Sequence, residues 1–239
     1  MKNEPCDFCQ HDFLAVLSHE LRNPLSALSN SLYIVRKCQP GEARSIRALA
    51  VMERQVRHMT SLIDTLAEAA SLGHGSLEVR RSTVDLAELL RNACLDHECL
   101  FANRGLVLRE DIPAGPLWIS ADSTRLTQVI SNLLQNAAQF TPAGGRVEVA
   151  LEPDAAARLA RMRFADTGAG LGDGLRQHLF EPFSQADTSL ARSRGGLGLG
   201  LHLVRGIVAL HGGTVRAESP GPDQGSTFIV ELPYARQDR

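Results

Sequence analysis

Leu14, Leu17, Leu21, Leu25, Leu28, Leu32 and Val35 recur at steps of three and four residues, and Leu49, Met52, Val56, Met59, Ile63, Leu66 and Ala70 repeat the pattern. This spacing sets each series on one face of an α-helix, in a coiled-coil-like stripe. Gln39, Pro40 and Gly41 break the period between them and read as a helix–helix turn. The expected product is an antiparallel helical hairpin. A single hairpin covers two apolar stripes poorly, whereas two hairpins form a four-helix bundle with one shared core. A homodimer through the hairpin is therefore expected. Packing of the hairpin on its own C-terminal half is the alternative.

The period changes after Gly73. Gly73, Gly75 and Ser76 mark a linker, and from Asp85 the pattern is mixed α/β. Asp85 is placed to cap a helix running to about Ala102. Strands are expected at Leu106–Ile112, Leu117–Ser120, Arg146–Leu151, Leu159–Ala165, Thr214–Glu218 and Thr227–Leu232, with helices at Ser123–Phe140 and Leu199–Leu210. The expected division is a helical domain over 1–72, a linker over 73–84 and an α/β domain over 85–239.

A hydrophobic content of 44% is enough for a real core. A formal net charge of -2 provides no basic field for nucleic acid or a membrane surface. No apolar run approaches the roughly 20 residues that cross a bilayer, so a cytoplasmic chain without direct membrane contact is expected. The five cysteines are scattered, which fits a reducing compartment; Cys6 and Cys9 form a CxxC pair with no matching second pair for zinc. Only about a dozen residues precede the first stripe, so the sensory input is expected outside this chain.

His19 stands two residues from both Leu17 and Leu21, roughly 200° around the helix from each. It should face solvent, away from the stripe. An exposed imidazole is a usable nucleophile at neutral pH, because one ring nitrogen can attack while the other carries the proton. Glu20 follows directly and is a candidate partner for that proton; Asn23 lies one turn on. Pro24 lacks an N–H and should kink or loosen the helix there.

Four short motifs in the second half bear on what that nucleophile could attack. Asn132 and Asn136 are four residues apart on one helix face, where neutral amide oxygens suit a hard cation shared with phosphates. Asp166-Thr-Gly-Ala-Gly170 follows an apolar strand; the carboxylate can accept from an exocyclic amine, and Gly168 and Gly170 let backbone approach a planar base. Phe180-Glu-Pro-Phe183 reads as the anchor of a mobile loop. Gly195-Gly-Leu-Gly-Leu-Gly200 opens a helix, and bare N–H groups there bind phosphate. It lacks the Lys-Ser/Thr ending of a P-loop. Each motif alone also has a bland reading as surface amides, a turn, core aromatics or a flexible loop.

In their order along the chain, these motifs resemble the HisKA-type histidine kinases from about Phe13 to Pro233. FLAVLSHELRNPLSAL is similar to the H box, RLTQVISNLLQNAAQFTPAGG to the N box, and DTGAGL, LFEPF and GGLGLGLHLV to the G1, F and G2 boxes. GGTVRAESPGPDQGSTFIVELP is similar to the closing segment. The resemblance implies an α + α/β fold: a dimeric helical-hairpin phosphotransfer domain (four-helix bundle), then an α/β sandwich of the gyrase/histidine-kinase ATPase type. It implies ATP and Mg²⁺, with His19 as phosphoacceptor, Glu20 as its acid/base partner, and Asn23 positioning water for dephosphorylation of the partner. Asn136 would be the principal Mg²⁺ ligand with Asn132 beside it, and Asp166 would bind the adenine amine in a pocket shaped by Gly168 and Gly170. Gly196, Gly198 and Gly200 would line the phosphates beneath a lid from about Asp173 to Arg194, which brings Arg192 and Arg194 close; Thr227 would lie near the adenine. The implied partner is the receiver domain of a response regulator.

The chain departs from this pattern at Gln139, where the family usually carries a Lys, Arg or His that can help hold the phosphates. Three other readings stay open on sequence: a degenerate kinase acting as a binding module, a member working mainly as a phosphatase through Asn23, and a gyrase-like ATPase without phosphotransfer.

Overall fold

The computed structural model describes residues 7–39, 41–184 and 197–234, with side chains from Leu17 onward. The hairpin comprises α1 (Asp7–Lys37) and α2 (Ala43–Gly73), 31 residues each. At the turn Gly41 has φ +88, and the Gln39 N–H donates to Glu42 Oε1 at 3.1 Å. Pro24 is buried and lies inside α1, which runs on through it. Among the described stripe positions, Leu25, Leu32, Leu49, Val56 and Ile63 stay exposed, whereas Leu62, beside the second stripe, is buried. The stripes exist as read, but one hairpin does not cover them.

The C-terminal half consists of β1 (Ser82–Asp85), α3 (Leu86–Asn103), β2 (Val107–Asp111), β3 (Trp118–Ala121), α4 (Ser123–Phe140), β4 (Arg146–Asp154), β5 (Leu159–Asp166), α5 (Asp173–His178), α6 (Gly200–Leu210), β6 (Thr214–Glu218) and β7 (Ser226–Pro233). Five strands form a mixed sheet in the order β2-β4-β5-β7-β6, antiparallel except for the β2–β4 pair. The short strand β1 pairs antiparallel with β3; its residues fall across the end of the expected linker. Alternation assigns the sheet's faces. Val147, Val149, Leu151, Met162, Phe164, Phe228 and Val230 turn inward, where Leu86, Leu90, Phe101, Ile130, Leu134, Val204 and Ile207 of the helices cover them in one core. The outer face bears charge: Arg161 and Arg216 both pair with Glu231, at 2.9 and 3.1 Å.

Caps fix where the helices begin. Asp85 accepts from the N–H groups of Ala87 and Leu117, at 3.0 and 2.9 Å, so one carboxylate starts α3 and ties it to the strand entering β3. Asp122 does more at the head of α4. It accepts from the Arg125 N–H at 3.1 Å and from the linker N–H of Arg80 at 2.9 Å. Its own N–H donates to Nε2 of the buried His211, whose Nδ1–H is bound to the Ile207 carbonyl at 2.8 Å. Burial pushes the Asp122 carboxyl up, but the N–H groups of Arg80, Arg125 and Thr124 outweigh it and hold the group below the usual carboxylate range. A carboxyl depressed in the folded state stabilises above its unfolded pKa and loses that contribution as pH falls through the folded one. Asp122→Ala is accordingly expected to cost about 1–2 kcal/mol in urea unfolding near neutral pH, with a penalty that shrinks as the pH falls below the ordinary carboxylate range.

Candidate nucleotide site and phosphoacceptor

The candidate adenine end is built from three separate segments. Asp166 ends β5, and its Oδ1 accepts the Gly168 N–H at 2.8 Å while its Oδ2 accepts the Ser226 hydroxyl at 2.5 Å. A carboxylate offers about four acceptor sites, so capacity remains for an exocyclic amine. The Gly168 carbonyl accepts from the Gly225 N–H at 3.0 Å, and the Ala169 N–H donates to the Phe140 carbonyl at 3.2 Å. The turn after β5 is thus stitched to the end of α4 on one side and to the β6–β7 loop on the other. Gly170 sits at φ +63, and a Cβ there would collide with the Gly221 carbonyl oxygen. Glycine is the residue that allows both the left-handed backbone and this close approach.

Two hydroxyls that sequence reasoning passed over complete this end. Ser219 donates to the Gly225 carbonyl at 2.7 Å and accepts from the Leu171 N–H at 3.0 Å, closing the β6–β7 loop against the turn. Ser226 is the hydroxyl that meets Asp166. Thr227, expected near the adenine, pairs in register with Ala165 and Glu218 and belongs to the opposite face of β7. The correction follows from the two-residue period of a strand: a slip of one residue exchanges its faces.

At the candidate phosphate end, Asn132 and Asn136 are half-buried on α4. Gly200 begins α6, and the site of its absent Cβ lies 3.9 Å from the Asn132 carboxamide, so the N-box helix and the glycine-rich loop meet here. Gly198 has φ +67, and a Cβ on it would stand 2.8 Å from the Ser184 carbonyl oxygen. Its carbonyl accepts from the Phe183 N–H at 3.1 Å, and Phe183 is itself left-handed at φ 64. The aromatic anchor and the glycine loop therefore hold one another by backbone. Gly196, Arg192 and Arg194 lie outside the described residues, as do Cys6 and the side chain of Cys9.

His19 is exposed on α1, as its angular offset from Leu17 requires. The Asn23 carboxamide nitrogen is 3.5 Å from His19 Nδ1, one turn along the same helix. Asn23 is exposed and Glu20 half-buried.

A phosphoacceptor hairpin joined to a nucleotide-binding sandwich is the architecture of a histidine-kinase core. Residues 10–75 match the His Kinase A (phospho-acceptor) domain, and residues 121–236 match the histidine kinase-, DNA gyrase B-, and HSP90-like ATPase family. The signal transduction histidine-protein kinase BaeS of Escherichia coli is 35% identical over 95% of this chain and 47% of its own length. Full-length ShkA, solved in complex with AMPPNP, superposes with a TM-score of 0.70 at 30% identity, over 93% of this chain and 45% of that one. The histidine kinase ThkA, solved in complex with the response regulator protein TrrA, shares the fold with a TM-score of 0.67 at 22% identity, over 95% of this chain and 63% of that one. The chain belongs to the HisKA-type sensor histidine kinases, of which it carries the catalytic core. It spans less than half the length of BaeS and ShkA.

Proposed function

We propose that this chain is an ATP-dependent protein-histidine kinase that phosphorylates its own His19 and passes the phosphoryl group to an aspartate on a response regulator. The observation that carries this reading is a water-exposed imidazole on a hairpin whose second helix buries Leu62 in one cluster with Leu197 and Leu199 of the glycine loop. ATP is read as the nucleotide because Asp166 presents acceptor oxygens and no donor to the base edge. Its adenine amine would meet Asp166, and its phosphates would lie along Gly198 and Gly200; Gly196, Arg192 and Arg194 are further candidates to hold them.

The residues present fit Mg²⁺. Asn132 and Asn136 offer carboxamide oxygens on one face of α4, and the described residues hold no cluster of three or more His, Cys, Asp or Glu able to bind a metal. A cation held by an amide oxygen together with phosphate oxygens suits this hard ion. When bound, it neutralises charge on the departing diphosphate.

Phosphoryl transfer needs positioning more than covalent help. A His19 ring nitrogen forms the N–P bond as the γ-phosphorus parts from its bridging oxygen. The electron pair leaves with ADP, and the ring proton passes to Glu20. The phosphoryl group then moves to a carboxylate of a response regulator; ThkA is solved in complex with the response regulator protein TrrA. Asn23, 3.5 Å from the imidazole, would hold the water that hydrolyses the regulator's aspartyl phosphate. The uncovered stripe at Leu32, Leu49, Val56 and Ile63 supports a homodimer. The deciding experiment incubates the protein with γ-labelled ATP and Mg²⁺ and looks for acid-labile, alkali-stable label. Label found only as free phosphate would point to an ATPase instead.

Gln139 provides a graded test. A neutral amide stands where relatives usually place a cation beside a polyanion. Gln139→Lys is expected to tighten ATP binding about three- to ten-fold, as one added charge near phosphates allows. Titration calorimetry checks it, and unchanged or weaker affinity would count against the placement.

A further inference from the structure

The aromatic anchor Phe180-Glu-Pro-Phe183 is fastened to the start of α6 at two points. One is the bond from the Phe183 N–H to the Gly198 carbonyl, at 3.1 Å. The other lies three residues earlier and uses a side chain. His202, the third residue of α6, has its Nδ1 3.3 Å from the Phe180 carbonyl oxygen. A carbonyl only accepts, so this ring nitrogen carries the proton. His97 and His211 turn the same nitrogen back on their own helices, to the Ala93 and Ile207 carbonyls four residues earlier. His202 instead reaches a carbonyl 22 positions away, in a different segment.

Phe183 is left-handed at φ 64, a region that a bulky residue occupies only where its surroundings impose it. Phe180 supplies one such constraint, because its ring rests edge-on against Phe228 of β7 with centroids 6.5 Å apart. With Phe180 fixed by Phe228 and His202, and Phe183 fixed by Gly198, the path of the turn past the glycine loop is set. No side chain caps α6 at Leu199, and the N–H groups of its first turn are donors that a phosphate would take. Burial lowers the His202 pKa from the ordinary histidine value; the Phe180 carbonyl opposes that shift and the Arg205 charge adds to it. At neutral pH the ring is therefore uncharged and held in one tautomer.

We propose that His202 is a positioning residue for the nucleotide: its Nδ1–H, bonded to the Phe180 carbonyl, holds the aromatic anchor against α6 and so keeps the backbone from Gly198 to Gly200 aimed at the phosphates. This rests on the kinase reading above. The imidazole acts through the anchor and the loop, without touching the nucleotide. Its effect is accordingly confined to the phosphate end. Adenosine, which would occupy only the Asp166 end, does not feel the clamp; ADP, whose phosphates reach the loop, does.

The test compares the full chain with His202→Ala and with His202→Asn, whose Nδ2 carries protons where the imidazole Nδ1 does. Affinities for ADP with Mg²⁺ and for adenosine are measured by NMR titration. His202→Ala is expected to weaken ADP binding about three- to ten-fold, the scale of one neutral hydrogen bond, and to leave adenosine within about two-fold of the parent. His202→Asn should recover most of the loss, and His202→Phe, which keeps a ring and lacks the donor, should behave as His202→Ala does. A general loosening of the domain would weaken both ligands and would not separate Asn from Phe. A further readout needs no variant: with isotope-labelled histidine, His202 should show a protonated Nδ1 and a bare Nε2 at neutral pH. Equal weakening of ADP and adenosine, no weakening of ADP, no recovery in His202→Asn, or a His202 ring protonated at Nε2 alone overturns the proposal. A parent that binds neither ligand defeats the kinase reading and this proposal with it, whereas normal parent binding with any of those failures defeats the proposal alone.

Discussion

His19→Ala is expected to reduce acid-labile labelling to background while ATP still binds within about two-fold of the parent affinity. The expectation is absolute because the imidazole is the acceptor itself. Loss of a group that only aids transfer leaves residual reaction; loss of the atom that forms the bond leaves nothing to label. The chemistry of the product adds a second discriminator. A phosphoramidate N–P bond is cleaved in acid and survives alkali, unlike a serine or threonine ester in alkali or an acyl phosphate in either direction. Glu20→Gln separates the roles further. If the carboxylate takes the ring proton, neutralising it should slow labelling about 10²-fold or more, the usual scale for a positioned base, without changing the product. Label persisting in His19→Ala would move the acceptor elsewhere and dissolve the argument from the hairpin.

What sequence could and could not reveal follows from how far each signal reaches along the chain. The hairpin was legible because its two stripes repeat over many turns, and α4 runs over the expected Ser123–Phe140 because Thr141-Pro142 stops it locally. The strand β1 was folded into the linker. Its four residues are held by a partner more than 30 positions away, Ser82 opposite Ala121, and no local pattern announces such a pairing. Ser226 and Thr227 are adjacent hydroxyls, and choosing between them needs the register of β7 against β5. The seam between the halves was invisible for another reason. Leu66 reads as a stripe residue like any other in α2 and Leu62 falls outside the stripe, and only the fold shows that they cluster with Leu197 and Leu199. Glu68 likewise looks like one more solvated charge on a helix until Arg125 and Gln128 arrive beside it.

Asp166→Ala is expected to weaken ATP binding about 100-fold, measured by calorimetry, with little change in thermal unfolding of the hairpin. Three losses combine. The adenine amine loses a charged acceptor, the Gly168 N–H loses its partner, and the Ser226 hydroxyl is left in a buried position without the oxygen it bonds. Each hydrogen bond to a charged group contributes about 1.5–3 kcal/mol, so losing one toward the ligand and disturbing two in the pocket reaches the stated factor. Ser226→Ala removes only the orienting bond and should weaken ATP binding by about five- to ten-fold, a positioning effect rather than loss of the contact. The base edge gives a sharper readout. Guanine presents a carbonyl oxygen where adenine presents its amine, and two acceptors facing each other repel. The parent should therefore prefer ATP over GTP strongly, because the site rejects the analogue that cannot donate. Asp166→Asn replaces one acceptor by a donor, so the ATP-to-GTP preference should narrow even as ATP binding falls. If Asp166→Asn lowers both affinities by the same factor, the carboxylate supports the turn after β5 and does not read the base.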